Sequence, residues 1–336
     1  MKKILTLLLF VVTSTIVSAQ TFTNPLTVSG ADPWNTYKDG YYYYTQTTGR
    51  NLAIWRTKDL TDLRNAEKKV IWTPPPGQTY SKEIWAPELH FLKGKWYMYF
   101  AADAGKNEDH RMYVVENPSA DPMQGEWIYK GMVADETNKW AIDATIFENR
   151  GKMYMLWSGW EGDKNGMQSI YIAEMSNPWT ISSKRTRISS PQYAWENNSG
   201  IGVVVNEGPQ MLKHGNNLHI IYSASGCWTQ YYALGMLTAP VKGNLLDSAT
   251  WVKSPEPVFQ QNPANSIYAP GHNSFFKSPD GTEDWILYHA NINPNDGCGN
   301  KRAPRAQKFT WRKDGTPDFG VPLKDGVELK KPSGTR

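Results

Sequence analysis

An all-β fold is predicted by three features of this 336-residue sequence. The apolar stretches are short, aromatic and β-branched, with aromatics making up 13% of the chain. Asp-Gly, Lys-Gly and proline-rich turns cut these stretches into strand-sized pieces. Long amphipathic runs bounded by helix caps are missing from the pattern.

The chain opens "MKKILTLLLFVVTSTIVSA", with Lys2 and Lys3 ahead of an apolar run from Ile4 that ends in Val17-Ser18-Ala19. This is the layout of a secretory signal over residues 1–19, and the run is short for a membrane span, which wants roughly 20 apolar residues. The mature protein is therefore expected to be exported, to the periplasm or the medium, with no membrane partner after cleavage. Without Lys2 and Lys3 the formal charge falls from +4 to +2, which argues against nucleic acid as a partner. Length alone allows two domains, but large all-β folds often run as one. The proline run "TPPPGQTY" at 73–80 is short and lies inside the repeat described next, so one domain is expected over residues 20–336.

Five related units follow: "ADPWNTYKDGYYYYTQT", "APELHFLKGKWYMYFAA", "IDATIFENRGKMYMLWSGW", "NEGPQMLKHGNNLHIIYSAS" and "PGHNSFFKSPDGTEDWILYHA". Their turn glycines, Gly40, Gly94, Gly151, Gly215 and Gly281, are separated by 54, 57, 64 and 66 residues. That period suits a four-stranded blade with its loops, and five blades make a β-propeller.

In a propeller the first strand of each blade lies nearest the axis, so the residues that open it gather at one end. Eight positions before the turn glycines stand Asp32, Ala86, Asp143 and Glu207, and nine before Gly281 stands His272. Positions that only packed the axis would be small or apolar, because unpaired buried charge is costly. A ring of three carboxylates and an imidazole therefore reads as a site. The second strand of each blade returns to the same face, and its exit loops put Trp160, Trp228 and Arg305 at the mouth. Exposed indoles beside polar, Gly-rich loops suit a sugar ring, which stacks its C–H face while its hydroxyls meet polar groups.

Carboxyl pairs across a sugar-sized pocket are the equipment of glycoside hydrolysis, one protonating the leaving oxygen and the other activating water or attacking. Slots on different blades favour the wide spacing that admits a water and inverts the anomeric centre. Glu207 follows the apolar run "IGVVVN", where desolvation raises a carboxyl pKa and suits a general acid. A third carboxylate nearby holds that acid protonated by like-charge repulsion. The chain has two cysteines, Cys227 and Cys298, on exit loops of adjacent blades; in an exported protein they are expected to form a disulfide clamping the mouth, the alternative being two free thiols.

The motifs "ADPW", "EIWAPE", "AIDATIF", "NEGPQML" and "APGHNSF", in this order, resemble family 43 of the glycoside hydrolases over essentially the whole mature chain. The resemblance implies a five-bladed propeller acting on arabinose- and xylose-containing plant polysaccharides. It implies Asp32 as general base, Asp143 as the residue that tunes and orients the acid, and Glu207 as general acid. It also implies an arginine that contacts the sugar, matched by Arg305, and sugar-pocket positions at Trp34 and Trp85. His272 matches an axial histidine that in many relatives meets a bound cation or its water shell, so a structural ion such as calcium is expected there, with no cofactor required for the chemistry. "WAPELHFLKGKWYMYFAA" with "SASGCWTQYYALGML" is most similar to exo-acting α-L-arabinofuranosidases on α-1,5-linked arabinan. A β-xylosidase, an endo-arabinanase on the same scaffold, or a non-catalytic sugar-binding propeller are the alternatives. A metallohydrolase is disfavoured, because the six histidines form no His-x-x-x-His or similar ligand pair.

Overall fold

The hairpin turns set the register of the whole molecule. In the first three units the two-residue turns Asp39-Gly40, Lys93-Gly94 and Arg150-Gly151 have positive φ at both positions, the geometry that matches the twist of flanking strands. In the fourth unit the turn is Gly215-Asn216, with only the glycine at positive φ. The glycine has moved from second to first place in the turn. Counting back from it therefore overshoots by one residue, and the position equivalent to Asp32, Ala86, Asp143 and His272 is Gly208, with Glu207 one step upstream.

The computed structural model describes residues 20–335; the expected signal at 1–19 lies outside them. The described chain is a five-bladed β-propeller. Blade 1 comprises Trp34–Lys38, Tyr41–Thr45, Leu52–Thr57 and Glu67–Trp72, and blade 2 Lys82–Leu92, Lys95–Asp103, Arg111–Asn117 and Ile128–Val133, each antiparallel in chain order. Blades 4 and 5 repeat the pattern from Val204–His214 and Tyr268–Lys277. In blade 3 the third strand, Met167–Asn177, pairs with two short outer pieces, and its start also meets the first strand of blade 4 in parallel through Met167–Val204 and Gln168–Val205.

Five apolar clusters fill the five junctions between successive blades. Large aromatics such as Trp96, Tyr99, Tyr222 and Tyr288 are fully buried in them, and each such side chain contributes on the order of 2–3 kcal/mol. The junction of blades 5 and 1, which closes the ring, has its own cluster, with Tyr42, Tyr44, Trp285 and Leu287 packed by Phe22 and Leu26. The N-terminal segment reinforces this seam: the N–H groups of Leu26 and Gly30 donate to the carbonyls of Pro304 and Arg302, and Thr21–Phe22 pairs with Leu329–Lys330. Among the described residues each blade is built from consecutive strands, so closure rests on packing and this seam.

Candidate active site

The first strand of blades 2 to 5 carries one extra residue relative to its partner, between Trp85 and Glu88, Ile142 and Thr145, Glu207 and Gln210, and Gly271 and Ser274. At this bulge Ala86, Asp143, Gly208 and His272 adopt left-handed φ of 42°, 58°, 54° and 46°, as does Asp32 in blade 1 at 58°. For a residue with a Cβ that conformation costs roughly 1–2 kcal/mol. Bulges re-aim side chains, and strain of this kind concentrates at functional sites. Here Asp32, Asp143 and His272, with Glu207 from the preceding position, line one cavity of about 420 Å³. Every second-strand exit loop reaches the same cavity, through Thr47, Asn107, Asn165, Trp228 and Arg302.

The three carboxyl groups are buried but sit in opposite electrostatic surroundings. Burial opposes ionisation of Asp32, yet Arg302, His272, His289 and the Thr47 hydroxyl outweigh it and hold the carboxyl well below its usual range. Arg302 Nη1 lies 3.0 Å and His272 Nδ1 3.3 Å from Asp32 Oδ1, and the Thr47 hydroxyl donates to Oδ2. The Asp32 N–H donates to His289 Nδ1 at 3.1 Å, so that nitrogen carries no proton, in line with burial depressing the imidazole's pKa. Asp143 is pushed well above the usual carboxylate range by burial and then by Glu207 and Asp32, against the N–H of Gly208, which donates to its Oδ2 at 3.0 Å. Burial, aided by Asp32 and opposed by Tyr232 and Arg302, raises Glu207 to about 7. Asp143 and Glu207 therefore titrate as a pair that keeps a proton at neutral pH, facing an ionised Asp32. An acid and a base share one pocket.

Tyr232 donates its hydroxyl to Glu207 Oε1 at 2.8 Å. It reaches across Gly271, where a Cβ would lie 2.1 Å from the phenol ring, so the glycine is what lets the ring lie flat on the strand. The pocket walls are apolar: Trp85, Trp140, Trp228 and Ile201 line it beside the Cys227–Cys298 disulfide, which joins the exit loops of blades 4 and 5. Trp228 packs over Gly226 and its indole N–H donates to the Ser199 carbonyl at 2.8 Å.

Three expected residues lie elsewhere. Trp160 is buried behind Trp140, stacked at 4.6 Å and 9°, so Trp140 presents the indole to the pocket and Trp160 backs it. Trp34 packs at the junction of blades 1 and 2, with its N–H on the Leu89 carbonyl and its ring 4.9 Å from that of His90, outside the cavity lining. Arg305 is the third residue of the third strand of blade 5, is fully buried, and donates to Asp325 and to the carbonyls of Ala290 and Ala303. The arginine at the pocket is Arg302, three residues earlier, where the loop has not yet entered the strand. In "NKRAPR" both arginines look alike; only the strand start at Ala303 separates them. Tyr232 and His289 belong to no motif that marks them in the sequence. At His272, the nearest carboxylate, Asp32, is already held by Arg302 and the imidazole itself. These residues do not form a protein-built cation cage.

The model of "Glycosyl hydrolases family 43" matches residues 22–317. The chain is 42% identical over 319 residues to an "Extracellular exo-alpha-(1->5)-L-arabinofuranosidase" of Streptomyces avermitilis, an alignment covering 91% of this chain and 65% of that protein. It thus spans a little under two thirds of that relative's length. A protein of the same description from Streptomyces chartreusis is 40% identical over 273 residues, covering 80% of this chain and 82% of the relative. The crystal structure of an alpha-L-arabinofuranosidase from Lactobacillus brevis superposes with a TM-score of 0.85 at 40% identity, over 91% of this chain and 98% of that one. Fold, ordered motifs and these similarities agree: the chain belongs to family 43 of the glycosyl hydrolases.

Proposed function

We propose that this protein is an exported exo-α-L-arabinofuranosidase that removes terminal arabinose from α-1,5-linked arabinan or arabinose-substituted plant polysaccharide, with inversion. The observation that carries the reading is the meeting of an ionised Asp32 with a protonated Asp143–Glu207 pair in one buried cavity. Asp32 takes a proton from a water as that water attacks the anomeric carbon, and Glu207 gives its proton to the departing glycosidic oxygen. Asp143, coupled to Glu207 and anchored by the Gly208 N–H, keeps the acid charged with its proton and oriented. Arg302, His272 and Thr47 hold Asp32 ionised and in place. Trp85, Trp140 and Trp228 offer indole faces for the sugar and exclude water. The names of the Streptomyces relatives support both the linkage and the export expected from residues 1–19.

Proton NMR in the first minutes of arabino-oligosaccharide hydrolysis tests the stereochemistry, and chromatography of the same sample tests the mode of action. β-Arabinofuranose should appear first and free arabinose should accumulate without long oligomers. An initial α-anomer would refute inversion, and early oligomers would replace the exo pocket by an endo-acting groove.

A further inference from the structure

On the far side of the Trp85 indole from the pocket, three side chains from blade 2 converge: Glu83, Asp103 and His110, whose ligand-type atoms lie within 4.8 Å of one another. Asp103 ends the second strand and is fully buried. Its Oδ1 accepts from the Gly105 N–H at 2.7 Å, but its Oδ2 is buried with no hydrogen-bond donor. His110 Nδ1 faces that oxygen at 3.2 Å. His110 Nε2 faces the Glu83 carbonyl at 3.3 Å, and with the ring's proton there the lone pair lies on Nδ1. The carbonyl of Asn107, also 3.2 Å from Nδ1, already accepts from the Trp140 indole at 2.6 Å and from the His110 backbone N–H. In that tautomer Nδ1 and Oδ2 are two acceptors 3.2 Å apart in the interior, and neither Asp103 nor Glu83 has a lysine or arginine in ion-pair reach among the described residues.

Something positive belongs between them: a second proton on the imidazole or a metal ion. A ring proton would not satisfy that oxygen: although Oδ2 lies only 3.2 Å from Nδ1, it has no hydrogen-bond partner. The geometry favours the ion. Two ligands each about 2.1 Å from a tetrahedral ion are roughly 3.4 Å apart, close to the 3.2 Å found. One imidazole nitrogen with two carboxylates is a set for a borderline transition ion, whereas calcium prefers oxygen alone.

We propose that Glu83, Asp103 and His110 form a zinc-class metal site that braces the pocket wall from behind. Glu83 is exposed and leaves the remaining coordination to water. The His110 ring is stacked on Trp85 at 4.0 Å and 23°, and Asn107, which lines the cavity, sits on the same loop. Ion binding would therefore stiffen two pocket residues without touching substrate.

The test is calorimetric titration of ZnCl₂ into the full chain after chelator treatment, with melting temperature followed in parallel. One ion per chain and a saturable rise in melting temperature are expected. Asp103→Asn, which keeps the acceptor for Gly105, and Glu83→Gln, on an exposed residue that folding tolerates, should each weaken zinc by about tenfold or more. The proposal is overturned by no stoichiometric zinc binding, by binding that both variants leave unchanged, or by a site that takes CaCl₂ and refuses zinc. A folded Glu83→Gln keeps the test decisive should Asp103→Asn fail to fold.

Discussion

Replacing Tyr232 by Phe deletes one hydroxyl and keeps the ring that packs on Gly271. The hydroxyl donates to Glu207 Oε1 at 2.8 Å in a fully buried setting. A hydrogen bond to a buried charged group is worth roughly 1.5–3 kcal/mol, and one to the neutral acid about 1 kcal/mol, so the hydroxyl favours the ionised form by about 1 kcal/mol. At 1.36 kcal/mol per unit that is a little under one pKa unit. Its removal makes Glu207 harder to ionise, so the acid, already raised to about 7 by burial, moves further up. The alkaline limb of kcat/KM should shift upward by about half to one pH unit. The acid limb, set by Asp32, should stay where it is, because Tyr232 does not touch Asp32.

The assay is a pH profile of kcat/KM on an aryl arabinofuranoside, which reports the free enzyme. Stability gives an independent reading. Glu207 has a folded pKa above its unfolded value, so its favourable contribution is complete below about 4.5 and is lost as pH rises through about 7. Tyr232→Phe should carry that loss to higher pH in thermal melts as well. An alkaline limb that does not move, or moves down, would show that Glu207 is not the proton donor.

Asp32→Asn and Glu207→Gln should each fold normally and lose several orders of magnitude in turnover; a good aryl leaving group should partly rescue Glu207→Gln alone, and equal rescue of both would dissolve the roles. Arg302→Met should shift the acid limb upward, because a cation that keeps Asp32 ionised is gone, with little change in melting temperature. Arg305→Met should instead cost about 3 kcal/mol or more in denaturant melts by stranding Asp325 and two carbonyls; a stable, slow Arg305→Met enzyme would reverse the assignment of the two arginines. Denatured, unreduced protein should show no free thiol, and reduction should cost roughly 4 kcal/mol, since the bridge closes a loop of 71 residues.

The blades were legible because each hairpin repeats the same pattern: a strand with apolar residues, a turn with a glycine at positive φ, and a second strand that carries an aromatic. Asp32, Asp143, Glu207 and His272 were legible because they stand eight or nine residues ahead of those turn glycines, Glu207 one step upstream of the equivalent slot. What failed was whatever depended on side-chain direction or on strand boundaries. Trp160 and Trp140 are both plausible platforms in sequence, and only their stacking order decides which one meets the cavity. Arg302 and Arg305 differ by three positions, and the strand start between them makes one a pocket residue and the other a buried anchor. Closure of the ring was not legible, because the seam depends on main-chain bonds from residues 21–30 that leave no pattern.

The one-residue offset in blade 4 shows how the repeat was bent to chemistry. Had Glu207 occupied the bulge slot, its backbone would have had to adopt the left-handed conformation that Gly208 takes there. With glycine at the slot, the strained conformation carries no Cβ penalty, and the Gly208 N–H is free to bind Asp143 while Glu207, one step back, meets Tyr232. A Cβ at Gly208 would also lie 3.3 Å from the His272 ring, on the neighbour that holds Asp32. The same backbone position that opens blade 1 with a base thus serves in blade 4 as the hinge between the acid and its modulator. Five equivalent strands arrive at one axis, and small departures from equivalence let carboxyls of opposite protonation state stand in one pocket.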